Sequence, residues 1–268
     1  MAPSMRARLR ASETSSLAAK AGDRLGLRDK ATTAPLSQAH VERLAVLQNH
    51  LWGEHRRSVL LVLQGLDAAG KDGTIRHVFT GVNPQGCRVV SFKPPNDVEA
   101  AHDFLWRVHH VCPRAGEIGI FNRSHYEDVV TTFVLGLIND KERRRRFRMV
   151  RDFEHLLLSE GTAVVKVFLH ISKEEQRERL QARIDNPEKR WKYNPADLEA
   201  RRQWDQYQRA YSDAIEATST DEAPWFVVPA DHKWVRNYAV STLMVETLEE
   251  MKPRLPADLP GVAGTIVE

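Results

Sequence analysis

The sequence predicts an α/β fold built on a single parallel sheet. Two observations carry that reading. Short apolar, β-branched runs alternate with longer helical patterns along most of the chain, and the first such run, residues 59–63, opens into a turn punctuated by Gly65, Gly70 and Gly73. Strands separated by helices of that length pair in parallel and are covered on both faces. Ligands of such sheets bind beyond the carboxyl ends of the strands, where the glycine-rich turn falls.

Taken in order, residues 1–38 are rich in Ser, Ala, Thr and charge with little apolar periodicity, and read as a flexible arm. Val41, Leu44, Leu47 and Leu51 then recur at three- and four-residue spacing, the mark of a packing helix capped near Ser37. After the first strand a helix is expected over residues 71–80, a second strand over 87–92, a helix over 97–111 and a third strand over 117–121. Residues 129–160 read as helix interrupted near Asn139 and Asp140, with Gly161 ending it. A fourth strand over 163–171 precedes Ser172-Lys173-Glu174-Glu175, a capping-box pattern, and a helix carrying Arg177, Arg179 and Arg183. Residues 186–193 form a loop, 195–217 a helix with Pro195 in its first turn, 225–228 the fifth strand and 231–251 the final helix. The division expected is an arm over 1–38, one domain over 39–252 with a lid at about 172–195, and a loosely attached tail over 253–268.

The chain of 268 residues has 42% hydrophobic and 28% charged residues, ordinary values for a globular protein, and a formal net charge of +3, too small to imply a strongly basic partner-binding character. Its two cysteines, Cys87 and Cys112, have no zinc-ligand spacing and cannot make a disulfide framework, so both read as buried small hydrophobes in a reducing cytoplasm. The basic N-terminus is followed by no apolar core, and no stretch reaches the roughly 18 apolar residues of a membrane span. A cytoplasmic protein with no membrane and no nucleic-acid partner is expected, and exposed helices around the sheet permit a homo-oligomer.

The chemistry concentrates at two strand ends. Gly65-x4-Gly70-Lys71 has the spacing of a phosphate-binding P-loop (Walker A), whose backbone N–H groups curl around phosphate oxygens while the lysine neutralises them and a helix opens toward the ligand. Gly65, Ala68, Ala69, Gly70, Lys71, Asp72 and Gly73 are therefore the candidate phosphate contacts. Asp72 stands where Ser or Thr usually serves magnesium. Asp67, inside the loop, would repel phosphate unless a divalent cation lay between them, and so reads as a magnesium ligand, direct or through water, with manganese as the substitute ion. At the third strand's end Asn122 occupies a position often held by aspartate, which leaves more of the metal's charge to Asp67. Arg123 beside it can grip phosphate through its planar fork, and Lys93 ends the second strand on the same edge. Glu127 reads either as a dipole cap or as a site group, whereas Asp128 reads as a cap. Arg179 and Arg183, four apart, share one helix face and suit a lid over phosphates. The run Lys141–Arg151 flanks a long polyanion or is a solvated basic face; Trp191 stacks on a base or packs.

GLDAAGKDGT, FNRSHYED, SKEEQRERLQARIDNPEKRWK and APWFVVPADHKW, in that order, resemble segments of the family 2 polyphosphate kinases over roughly residues 40–250. The resemblance implies a three-layer, thymidylate-kinase-like P-loop kinase fold with a helical lid, and magnesium-dependent phosphoryl exchange between inorganic polyphosphate and purine nucleotides. It carries catalytic and phosphate-binding roles onto Asp67, Lys71, Arg123, Arg179 and Arg183. Glu127 is similar to the glutamate of the subgroup that acts on both AMP and ADP. The other readings are an ATP-dependent nucleoside monophosphate kinase and a non-catalytic nucleotide or polyanion sensor.

Overall fold

The computed structural model describes residues 4–11, 17, 21–260, 262, 265 and 266. Along the chain lie α1 (Met5–Leu9), α2 (Lys30–Glu54), β1 (Ser58–Gln64), α3 (Lys71–Val78), β2 (Cys87–Ser91), α4 (Asp97–Ala100), α5 (Trp106–His109), β3 (Ile118–Asn122), α6 (Thr131–Val134), α7 (Asp140–Ser159), β4 (Thr162–His170), α8 (Lys173–Asp185), α9 (Pro195–Arg202), α10 (Trp204–Thr218), β5 (Trp225–Pro229) and α11 (Lys233–Met251). The five strands form one parallel sheet in the order β2-β3-β1-β4-β5. β1 sits at its centre with every residue buried. An unbroken apolar run is what a strand covered on both faces requires. α11 packs against α1, α2 and α3 on one side, while α7 and α10, joined by α6, form the layer on the other. None of the helices among the described residues is long and apolar enough to cross a membrane.

The strands and the longer helices lie where the hydrophobic pattern puts them, within one or two residues at most ends. Val41, Leu44, Leu47 and Leu51 are all buried on α2. Ser172 caps α8 by accepting from Glu175 N–H at 3.2 Å, and Gly161, at φ +84°, ends the turn after α7.

Four segments differ from expectation. α2 begins at Lys30, with Asp29 accepting from Thr32 N–H at 2.8 Å as its cap, well before Ser37. Within the stretch read as an arm, α1 is packed: Met5 and Leu9 are buried, and Glu246 of α11 accepts from the Met5 and Arg6 N–H groups at 3.2 and 3.1 Å. Beyond it, Ala11 N–H donates to Trp225 O at 2.8 Å and Arg10 bridges Phe226 antiparallel to β5. Residues 1–3, 12–16 and 18–20 of the expected arm lie outside the described residues. The helix expected over 97–111 is two short turns, because Asp103 accepts from Leu105 N–H at 3.0 Å and so offers the backbone a local alternative to the helical bond. The helix expected over 195–217 breaks at Gln203 (φ −92°, ψ 21°), separating the lid-side α9 from the core-facing α10. Cys87 and Cys112 are partly rather than fully buried; burial pushes their thiols up to about 11 and about 12.

Under the sheet's far half a buried charge pair fixes the packing. Lys166 Nζ on β4 donates to Glu154 Oε2 on α7 at 2.6 Å and to Thr218 O at 2.7 Å. Tyr126 Oη donates to the second oxygen of Glu154 at 2.8 Å. Both charged ends are fully enclosed, so neither tolerates loss of the other. Glu154→Leu is expected to lower stability by about 3–5 kcal/mol, and Glu154→Leu with Lys166→Met to recover most of it; denaturant unfolding of both variants measures this, and additive losses would contradict it.

Candidate active site

Two strand ends meet at the site because β1 and β3 are neighbours. Leu63 is in register with Asn122, and the ladder is extended by Arg123 N–H donating to Leu63 O at 3.0 Å. The turn that follows β1 therefore faces the turn that follows β3. At Gly65 (φ +147°) a Cβ would stand 2.8 Å from Leu169 O, so only glycine passes between β1 and β4 there. Gly70 (φ +104°) caps α3 in a left-handed conformation. Ala69 N–H turns back to Leu66 O at 3.1 Å, and Thr74 N–H donates to Gly70 O at 2.9 Å. Between them, among the described residues, the N–H groups of Gly70, Lys71, Asp72 and Gly73 donate to no backbone carbonyl. Unpaired amides at a helix opening form an anion cradle.

Lys71 is buried beneath this cradle, its Nζ 2.6 Å from Gly65 O and 3.4 Å from Leu66 O. Burial, and next Arg123, lower its pKa from the usual lysine value. Asp67 Oδ1 accepts from Arg123 Nη2 at 2.5 Å, and Arg123 Nη1 lies 3.8 Å from Glu127 Oε2. Burial disfavours the Arg123 cation, but Asp67 and then Glu127 outweigh it, so its pKa lies above the ordinary value. Arg123 adopts φ +63°, the strained backbone by which its side chain turns back over the loop. Glu127, on the 3-10 turn His125–Asp128, also accepts from Thr131 Oγ1 at 2.8 Å. The buried Gln64 amide satisfies its surroundings when its oxygen accepts from Ser124 and its nitrogen donates to Glu127 Oε1 at 3.0 Å and Tyr211 Oη at 3.1 Å. Alongside lies a cavity of about 220 Å³ whose walls include Asp67, Arg123, Glu127, Asp197, Tyr207 and Tyr211. Burial, with Asp67 next, raises the Asp197 carboxyl.

Asp72 is tied down by two donors, Asn122 Nδ2 at 2.8 Å and Lys192 Nζ at 3.5 Å. Burial works against the Asp72 carboxylate, yet the Asn122 hydrogen bond and Lys192 hold its pKa below the ordinary carboxyl value. An amide at position 122 makes this contact possible; an aspartate there would set two like charges together. Lys93 is exposed just past β2, its backbone carbonyl accepting from Arg107 at 2.7 Å.

Other residues stand elsewhere than the sequence suggests. Asp128 is no dipole cap: it is buried and paired with Arg107 at 3.2 Å. Arg179 does not hang free from the lid helix. Its Nε donates to Glu175, Nη1 to Ala68 O and Ala69 O at 3.0 and 3.2 Å, and Nη2 to Ala230 O and Asp231 O at 2.7 Å each. A guanidinium has five N–H donors, and all are occupied behind the loop. Arg183 is held by Asp197 at 2.9 Å and so ties α8 to α9. Arg144, Arg145 and Arg146 pair with Asp140 or Glu142 on their own helix and Arg143 with Asp213, so part of the charge of the run Lys141–Arg151 is answered by acids. Trp191 is not packed: it is 78% exposed, with the Lys192 ammonium 5.0 Å from its ring.

Arg236 on α11, Gln64, Gln176 and Tyr211 escape the sequence reading. Gln176 donates to Asp67 O at 3.0 Å. Arg236 lies in the segment that begins ADHKW, immediately after β5, and its position past a strand end on the loop's own edge of the sheet is the one feature that could have marked it.

A parallel α/β sheet, an open amide cradle over a buried lysine and an arginine crossing from the neighbouring strand end define a P-loop phosphotransferase. Residues 27–256 match the model of the family described as Polyphosphate kinase 2, and the chain belongs to that family. It is 55% identical over 226 residues to an AMP/ADP-polyphosphate phosphotransferase of Meiothermus ruber, covering 82% of this chain and 85% of the relative. It is 46% identical over 237 residues, covering 84% and 82%, to an ADP-polyphosphate phosphotransferase of Rhodopseudomonas palustris. The crystal structure of polyphosphate kinase 2 from Arthrobacter aurescens superposes with a TM-score of 0.95 at 43% identity, over 98% of this chain and 95% of that one.

Arg179→Lys keeps the charge but forfeits most of the fork. It is expected to lower stability by about 2 kcal/mol, the cost of leaving buried carbonyls without a donor. A solvated lid arginine would leave the melting temperature unchanged, which decides between the two.

Proposed function

We propose that the chain transfers phosphoryl groups between inorganic polyphosphate and both AMP and ADP, reversibly. The observation that carries it is the unpaired amide cradle of Gly70 to Gly73 over buried Lys71, facing Arg123, Asp67 and Glu127. The Meiothermus ruber relative, named for both acceptors, supports the choice of acceptors.

In the forward direction the terminal phosphoryl group leaves the bridging oxygen of the polyphosphate chain and bonds to a terminal phosphate oxygen of the nucleotide. The chain is shortened by one unit, and AMP becomes ADP or ADP becomes ATP. The attacking oxygen is already ionised at neutral pH, so no general base is required. What the protein supplies is position and charge. The cradle amides and Lys71 bind the non-bridging oxygens, and Lys71 exchanges its contacts with the Gly65 and Leu66 carbonyls for phosphate. Arg123, swinging from Asp67, spans the two substrates. Glu127, fixed by Gln64 and Thr131, sets the acceptor's place.

No group of three or more His, Cys, Asp or Glu able to hold a metal occurs among the described residues. That suits magnesium, which binds through one or two carboxylates with substrate phosphates and water completing its shell. Asp67 would hold it, with Asp72 nearby, and manganese would fit the same oxygen donors. When bound, the ion neutralises charge on the phosphate oxygens. The lid over 172–195 shields the transfer from water, with Lys192 closing onto Asp72.

Pure protein incubated with AMP, magnesium and long-chain polyphosphate is expected to yield ADP and then ATP, and a parallel sample with ATP as donor little or none. Product only with ATP would make it a nucleoside monophosphate kinase; binding without turnover under either donor would make it a sensor. Lys71→Ala is expected to abolish turnover while the far-UV spectrum and cooperative unfolding persist, and full activity in that variant would defeat the assignment. Glu127→Gln, assayed separately with AMP and ADP, is expected to change the ratio of the two rates by roughly tenfold, about 1.4 kcal/mol of differential binding. Rates on both that are unchanged from wild type would leave Glu127 only a cap.

A further inference from the structure

Arg236 is 3% exposed, yet among the described residues no acid pairs with it. Its guanidinium donates to neutral oxygens alone: Ala69 O at 3.2 Å through Nη1, and Asn237 Oδ1 through Nε and Nη2 at 3.2 and 2.9 Å. The charged neighbour that bears on it is another cation, Arg179, which shares the Ala69 carbonyl. Burial, and then Arg179, pull its pKa down to about 10. A buried cation with neutral partners is costly. Lys166 is compensated by the Glu154 carboxylate, whereas Arg236 and Lys71, both at the loop, donate to neutral oxygens alone.

Its place explains why. Arg236 lies directly behind the cradle: a Cβ on Gly70 would come within 1.8 Å of its Nη1, and one on Gly73 within 3.4 Å of its Nη2. Gly70 therefore serves two ends, its left-handed φ and the close approach of a guanidinium to the loop backbone. A peptide's C=O and N–H point in opposite directions. Drawing the Ala69 carbonyl back onto Arg236 and Arg179 thus turns the Gly70 N–H toward the front, where no backbone acceptor meets it. The cation and the amide act on the same side of the same charge.

We propose that Arg236 is a positioning residue of the phosphate cradle, whose buried charge is balanced by the bound phosphate itself and thereby adds to phosphate affinity. This rests on the cradle being the phosphate site. It gives a sign that ordinary packing does not. Removing the charge relieves the free protein of an unbalanced cation while weakening its grip on anions, so free-state stability and ligand-induced stabilisation move apart.

The experiment is thermal unfolding of wild type and Arg236→Gln, each with and without inorganic tripolyphosphate, together with kcat and KM for polyphosphate. Gln keeps a donor for the Ala69 carbonyl and drops the charge. Expected is a free-protein melting temperature equal to or above wild type, a tripolyphosphate-induced rise at most half that of wild type, and KM raised about tenfold, equal to about 1.4 kcal/mol, with kcat within about threefold. An undiminished rise and an unchanged KM overturn the proposal. If Arg236→Gln does not fold, Arg236→Lys, which retains the charge, is expected to keep the tripolyphosphate response, and a folded Lys variant that has lost it overturns the proposal equally. Absence of any tripolyphosphate response in wild type would instead overturn the cradle reading beneath it.

Discussion

The carbonyls of Ala68 and Ala69 must point somewhere, and where they point decides what the loop can bind. A tight turn with its oxygens facing the ligand would repel phosphate. Here Arg179 draws both oxygens backward, and the same side chain reaches the Ala230 and Asp231 carbonyls at the end of β5. One guanidinium thus joins three pieces of chain: the loop after β1, the lid helix α8 and the connection into α11. The amides of Gly70 to Gly73 are open to the front because the carbonyls are occupied behind. The sheet supplies the remaining constraint, since pairing β1 with β3 in a register that matches Leu63 to Asn122 brings Arg123 over Asp67.

Electrostatically the site is a set of mutual restraints. Asp67 and Glu127 keep Arg123 charged and in place; Asn122 and Lys192 do the same for Asp72; burial and Arg123 press down on Lys71. Each restraint is a contact that an incoming phosphate or cation can take over, so the unliganded groups are already oriented. Little of the substrate's binding energy is then needed to order them. The buried network around Lys166 and Glu154 lies under the turn that carries Glu127, through Tyr126, and gives that turn a rigid floor.

Much of this was legible in the sequence. The apolar runs of β1 and β5, the mostly apolar run of β4 and the spacing Gly65-x4-Gly70-Lys71 are local patterns, and local patterns survive in one dimension. So the sheet, the loop and the meeting of Asp67, Lys71 and Arg123 were all foreseeable. What escaped is set by tertiary contact. Nothing in RERLQARID distinguishes an arginine that waves over phosphates from one whose donors are spent on four backbone carbonyls and a carboxylate; Arg179 is the latter. Arg236 lies on a helix whose neighbours are apolar, and only the fold reveals that it faces the loop from behind. Met5 and Leu9 carry too few apolar residues around them to announce a helix, and it is the rim of α11 and the free edge of β5 that give them a seat.

The attachment of the lid has a further bearing, on how such chains can be recombined. Its first helix holds Gln176, bonded to the Asp67 carbonyl, and Arg179, bonded to those of Ala68 and Ala69. The boundary of the phosphate loop therefore does not fall where the chain leaves it near Thr74, but runs through two side chains a hundred residues later. Grafting a foreign lid onto this body, or shortening this one, exchanges part of the loop's own scaffolding. A chimaera that keeps the residues equivalent to Gln176 and Arg179 inherits a working cradle, and one that cuts between them inherits a loop of the right sequence and the wrong shape.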